Sequence, residues 1–215
     1  MKILVAGSGT MGAGIAQVFA QAGHDVVMFD RTKELTAQGF HRIEKQLRRQ
    51  EAKGRLEPLE VNAICSRLQQ SVDLEDAVGV ELVIEAIFED RAVKRELFQK
   101  LDNICPPNCL FATNTSSLSV TEMATGLTHE AQFLGIHFFN PAPVMKLVEV
   151  IRAENTSDET MERAVLFVRA ISKEPVLCAE SPGFIVNRVL IPMINEAVDL
   201  LDHKIASKEA IDQAM

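Results

Sequence analysis

Apolar residues in this chain come in short runs that alternate with longer stretches of helical spacing. The run Ile3-Leu-Val-Ala6 leads into a glycine-rich turn, and Ala13, Ile15, Ala16, Val18, Phe19 and Ala20 then predict a helix that ends at Gly23. A second run, His24-Asp-Val-Val-Met-Phe29, reads as a strand with Asp30 at its carboxyl end. Thr32 to about Arg67 reads as helix, broken near Lys53-Gly54 and Pro58. Leu68 to Val72 is a short strand and Val80 to Ile87 a buried one, with Glu85 near its end. A helix over Asp90–Asn103 stops before Pro106-Pro107, and the strand Leu110-Phe-Ala-Thr113 ends in the polar run Asn114-Thr-Ser-Ser117. Phe133–Ile136 and Lys146–Ile151 are further strands, Ser157–Ile171 an amphipathic helix, and Pro175–Cys178 a last strand.

After Ser181-Pro182-Gly183 the pattern changes. Phe184 to about Lys204 is one long apolar-rich helix, and Ser207 caps another. The alternation before that turn implies an α/β fold with a doubly wound, mainly parallel sheet, followed by an all-α region. The boundary falls near residue 181, giving units 1–181 and 182–215, with the helical excursion of about 32–67 inside the first.

The turn itself is Gly7-x-Gly9-x-x-Gly12 between a strand and a helix. Gly7 permits the turn, Gly9 lets backbone approach a pyrophosphate, and Gly12 lets the helix pack closely on the strand; Thr10 and Met11 open that helix. Its N-terminal N–H groups bind an anion with no charged side chain. Asp30 stands where a ribose-binding acid is expected, so the segment reads as a Rossmann-like dinucleotide site. The carboxylate favours NAD by repelling a 2′-phosphate, although Arg31 beside it could serve one.

The 215 residues, 47% hydrophobic and 24% charged, suit one good core plus an appendage. A net charge of −8 argues against nucleic acid as the main partner. No stretch of about eighteen apolar residues and no leader-like segment appears, so no membrane partner and a cytoplasmic location are expected. Cys65, Cys105, Cys109 and Cys178 lack the spacing of a metal site or a disulfide framework, and no metal is expected. Lys45, Arg48, Arg49, Lys53 and Arg55 crowd the helical excursion; by themselves they read as a solvated face.

Strand ends collect function in open α/β sheets, which marks Asn114, Ser116 and the segment His137-Phe-Phe-Asn140-Pro-Ala-Pro. His137 with Glu149 on a neighbouring strand is a candidate general base with its tautomer fixed, and a merely packed histidine is the alternative.

Five segments, in order along the whole chain, closely resemble the L-3-hydroxyacyl-CoA dehydrogenases: Gly7–Ala16, Glu85–Glu89, Thr113–Leu118, His137–Val150 and Ser181–Arg188. The resemblance implies NAD-dependent oxidation of an L-3-hydroxyacyl-CoA, with His137 as catalytic base and Glu149 orienting it. It further implies that Ser116 and Asn187 hold the substrate's C3 oxygen and acyl region, and that Asn140 places the nicotinamide. Glu89 and Lys94 would line the cofactor groove, Met11 lie beneath the dinucleotide, and Asp30 bind the adenosine ribose. Lys53 becomes a candidate for the coenzyme A phosphates. The family continues past the equivalent of Met215 with helices that complete a substrate and dimerisation domain, so the helical region looks truncated and a homodimer is expected. A catalytically impaired NAD-binding or interaction protein, or a dehydrogenase of a free 3-hydroxy acid, stand as alternatives. Acyl-chain length is open, as is the choice among fatty-acid breakdown, butyrate metabolism and aromatic-acid degradation.

Overall fold

A computed structural model describes residues 1–215. Strand β1 (Lys2–Ala6) lies inside the sheet, and its alternating side chains feed two cores: Ile3 and Val5 pack on one face, Leu4 and Ala6 on the other. Helix α1 (Thr10–Gln21) covers the first face through Ile15, Ala16, Val18 and Phe19, and β2 (Asp25–Phe29) returns beside β1. Helices α2 (Lys33–Glu51) and α3 (Pro58–Ser66) lead to the short edge strand β3 (Leu68–Ser71). Strand β4 (Leu82–Glu85), helix α4 (Arg91–Asp102), strand β5 (Leu110–Thr113) and the short helix α5 (Val120–Ala124) build the other half. Then come β6 (Phe133–Phe138), β7 (Leu147–Arg152), α6 (Asp158–Ala170) and β8 (Glu174–Ala179), followed by α7 (Val186–Asp202) and α8 (Lys208–Ala214).

The eight strands run in the order β3-β2-β1-β4-β5-β6-β7-β8. All neighbours are parallel except β6 and β7, which are antiparallel, so the sheet is doubly wound and mainly parallel. Helix starts follow local chemistry: the side chains of Thr32, Asp90, Ser119, Ser157 and Ser207 each accept an N–H of the first turn they precede.

Three boundaries differ from the sequence expectation. β4 is shorter than the apolar run Val80–Ile87, because the Val80 N–H turns back to Ala77 O and the Ile87 N–H to the Glu85 carboxylate. β6 runs past Ile136 to Phe138, since its antiparallel pairing with β7 continues to Phe138, opposite Val148. Helix α7 starts two residues after Phe184, whose φ of +51° breaks the helix while its ring is buried. Three short elements have no counterpart in the sequence expectation: 3-10 turns at Leu74–Ala77 and Glu130–Gln132, and α5. Neither α7 nor α8 buries a residue.

Candidate active site

The glycine turn between β1 and α1 is fixed by close contacts. Gly7 has φ +104°, and a Cβ on it would lie 2.5 Å from Ala86 O. A Cβ on Gly12 would lie 1.8 Å from Gly7 O, so α1 can pack here only with glycine. Around Gly9 the same construction meets nothing within 4 Å: the turn is open where α1 begins. Gly9 caps α1 without a side-chain hydrogen bond, and Thr10 is exposed, which leaves the helix end free for an anion. Met11 is half-buried against the core.

Asp30 closes the turn from the side. Its Oδ2 accepts the Ser8 N–H at 2.7 Å and its Oδ1 the Arg31 N–H at 2.8 Å, while each oxygen keeps a lone pair for a ribose hydroxyl. The buried Ser8 hydroxyl has no protein partner. An open cradle, a free helix end, an orphaned hydroxyl and a terminal carboxylate together fit NAD. Sequence reasoning passed over Gly39, where a Cβ would stand 2.8 Å from Ser8 and force α2 away from the turn. A glycine inside a helix costs about 1 kcal/mol, which was the available signal.

At the ends of β4 and β5 lies a buried charge group. Lys94 donates to Glu85 Oε1 at 2.6 Å and to Glu89 Oε2 at 3.0 Å. Burial pushes the Glu85 carboxyl up, against the Lys94 ammonium, the Thr113 hydroxyl and the Ile87 N–H, which favour its charged form. At Glu89 burial also opposes ionisation, but the Thr115 hydroxyl and Lys94 outweigh it, and the carboxyl lies below its ordinary range. Glu89 additionally accepts the Ser116 N–H at 3.3 Å and the Ser117 hydroxyl at 3.3 Å. Lys94 was expected to line the groove. It is 1% exposed, because two carboxylates draw its ammonium inward. Thr115, unremarked in the sequence, fastens Glu89 to the exposed Ser116 loop.

His137 faces Glu149 directly across the antiparallel β6–β7 pair. Its Nδ1 is 2.7 Å from Glu149 Oε2, with the residues 7% and 1% exposed. Nε2 has no partner in the protein. Phe139 and Phe184 flank the ring at centroid distances of 4.6 and 5.7 Å. The other Glu149 oxygen accepts the N–H groups of Ile185 and Val186, at 3.0 and 2.9 Å, which begin α7. One carboxylate thus joins the histidine to the helix whose first turn carries the half-buried Asn187. Asn140 is exposed just beyond β6, and Asn114 Oδ1 accepts the Phe138 N–H at 2.8 Å, tying the ends of β5 and β6 together.

The basic residues of the helical excursion divide. Arg49, Lys53 and Arg55 line a cavity of about 390 Å³ with Gln21, Gln50 and, from the loop after β6, Pro143 and Val144. Arg48 turns away to Glu51 and Asn62.

Comparison with known proteins agrees with this geometry. The family model for the 3-hydroxyacyl-CoA dehydrogenase NAD binding domain matches residues 2–181, and that for the C-terminal domain of the same enzymes matches residues 183–215. A 3-hydroxybutyryl-CoA dehydrogenase of Clostridioides difficile is 45% identical over 215 residues, covering all of this chain and 76% of its own length. The mitochondrial hydroxyacyl-coenzyme A dehydrogenase of Homo sapiens is 46% identical, with 99% of this chain and 70% of its own covered. The crystal structure of (S)-3-hydroxybutyryl-CoA dehydrogenase from Ralstonia eutropha superposes with a TM-score of 0.95 at 38% identity, over 97% of this chain and 74% of that one. An NAD cradle, a histidine–glutamate pair across two strands and matches along the whole length leave one assignment: the chain belongs to the 3-hydroxyacyl-CoA dehydrogenases, NAD-dependent oxidoreductases.

Proposed function

We propose that the chain interconverts an L-3-hydroxyacyl-CoA and the 3-oxoacyl-CoA, with His137 as general base and acid oriented by Glu149. The observation that carries this reading is the held Nδ1 and free Nε2 of His137. NAD, when bound, supplies the acceptor for the hydride that leaves C3. His137 takes the C3 hydroxyl proton onto Nε2 as the C3–H bond breaks and the carbonyl forms; in the reverse direction the imidazolium returns it. Glu149 keeps the ring in the required tautomer and stabilises its charge.

Ser116 and Asn187 hold the C3 oxygen and the acyl region, and Asn140 the nicotinamide. Gly7, Gly9, Thr10 and Gly12 cradle the pyrophosphate above Met11, Asp30 takes the adenosine ribose, and Glu89, paired with Lys94, borders the groove. Lys53, together with Arg49 and Arg55, binds coenzyme A phosphates in the basic cavity, which the charge and the shared wall with the Asn140 loop support.

Residues 1–181 form the cofactor domain, and 182–215 belong to a substrate and dimerisation domain. The exposed apolar side chains of α7, among them Val189, Met193, Ile194 and Val198, support burial against a second copy. No helix is long and apolar enough to cross a membrane, and the proposed site of action is the cytoplasm. Light scattering is expected to give a dimer; a monomer contradicts that part.

The experiment is NADH oxidation with acetoacetyl-CoA, the oxo form of the substrate for which the bacterial relatives are named. Turnover with the thioester and none with free acetoacetate is expected, and H137Q should bind NADH without turning over. Equal rates with the free acid overturn the coenzyme A assignment, and an active H137Q overturns the role of His137.

A further inference from the structure

The loop from Phe139 to Lys146 joins β6 to β7. It carries Asn140 at its start and, in its middle, the Pro143 and Val144 that wall the basic cavity. One side of it rests on α1, where a Cβ added to Gly14 would stand 3.3 Å from both Ala142 Cβ and Pro143 Cδ. A single ammonium holds the other side: Lys173 Nζ donates to Ala142 O and to Met145 O, each at 2.7 Å.

Lys173 is 8% exposed. Burial alone pushes its pKa down, and no carboxylate stands beside it to push it back. A side chain that only filled this space would need no charge, and burying one without a counter-ion is costly. What the ammonium supplies is two donors to carbonyls that would otherwise be orphaned under the loop. The backbone is bent to bring it there. Ser172 has φ +58°, a left-handed conformation unusual for serine, with its N–H on Arg169 O and the Lys173 N–H on Val168 O.

We infer that Lys173 is a positioning residue for hydride transfer: its two hydrogen bonds fix the 139–146 loop, and with it Asn140 and the wall of the acyl-CoA cavity. The kinetic consequence rests on the proposed dehydrogenase reading; the hold on the loop rests on geometry alone.

The test compares K173M, K173Q and K173R with the parent chain, using acetoacetyl-CoA and NADH and counting folded molecules by NADH titration. In K173M kcat is expected to fall about tenfold and the acyl-CoA KM to rise about threefold, with a smaller rise in the NADH KM through Asn140, because Asp30 and the glycine turn, which hold the rest of the dinucleotide, do not touch the loop carbonyls. K173R keeps charge and donors and should recover most of the loss. K173Q keeps one amide donor group, serves if K173M does not fold, and should lose about threefold in kcat. Independently of turnover, hydrogen exchange at the Val144 and Met145 amides, which donate to Pro141 O, should speed about tenfold in K173M or K173Q. Parental kcat in the folded variants, a loss that K173R does not relieve, or unchanged exchange at the two amides overturns the proposal. Absence of turnover in the parent chain itself overturns the dehydrogenase reading, and the exchange rates then decide for or against Lys173.

Discussion

His137 in β6 and His129 in the turn before it each hold Nδ1 against a carboxylate, at 2.7 Å from Glu149 and 2.6 Å from Asp102. They differ at the other nitrogen. His129 Nε2 is 2.9 Å from Pro106 O, and a carbonyl can only accept, so that N–H is committed. Its ring also stacks on Phe111 at 4.4 Å, almost parallel. His137 has a free Nε2 at the carboxyl end of the sheet, between two tilted aromatic rings. A carboxylate beside a histidine therefore does not by itself make a base. Both nitrogens of His129 are spent on closing the α4–β6 connection, whereas His137 keeps one for substrate.

Substitutions at the two pairs should separate cleanly. H137Q is expected to lower kcat by about 10²–10⁴-fold with NADH affinity within about twofold, measured by turnover and NADH fluorescence titration. E149Q should lower kcat by about 10²-fold, since the ring loses its orienting charge, and should also speed hydrogen exchange at Ile185 and Val186, which the carboxylate now holds. K53E leaves both pairs intact and should raise the acyl-CoA KM by about tenfold with little change for NADH; equal effects on both remove the cavity from the account.

H129Q belongs to the other class: kcat within about twofold, and about 1–3 kcal/mol less stability in urea unfolding. The smallest effect is a pH dependence. Burial opposes ionisation of Asp102, but the Thr128 and His129 N–H groups, the His129 ring and the Thr128 hydroxyl outweigh it and hold its carboxyl below the ordinary value. A lowered folded-state pKa means that the stabilisation is fully present above the ordinary carboxylate range and is lost as pH falls below it. D102N should flatten that acid limb; a limb of unchanged slope contradicts the assignment.

Much of the fold was legible because local rules agreed with the tertiary ones. Ser157 and Ser207 cap the helices where the apolar spacing starts, and Gly7 and Gly12 stand where the chain leaves no room for a Cβ. Periodicity could not show that β7 runs antiparallel to β6, since both strands are buried on both faces and neither alternates cleanly. That reversal is what sets Glu149 opposite His137. The family resemblance puts Lys94 in the cofactor groove, and only its contacts with Glu85 and Glu89 reveal a buried charge. In the basic stretch the sorting follows helix phase within α2: Arg49 reaches the cavity with Gln46 and Gln50, one turn apart, while neighbouring Arg48 points elsewhere, and Lys53 and Arg55 join from the turn after the helix.

The central claim is that, of the two buried histidines paired with a carboxylate, the one with the vacant nitrogen is the reactive one. It is tested most directly by measuring acetoacetyl-CoA-dependent NADH oxidation for H137Q and H129Q side by side, each normalised to folded protein. The account predicts that H137Q is nearly inactive and H129Q turns over at close to the parental rate. Comparable losses in both variants, or an active H137Q, would contradict it.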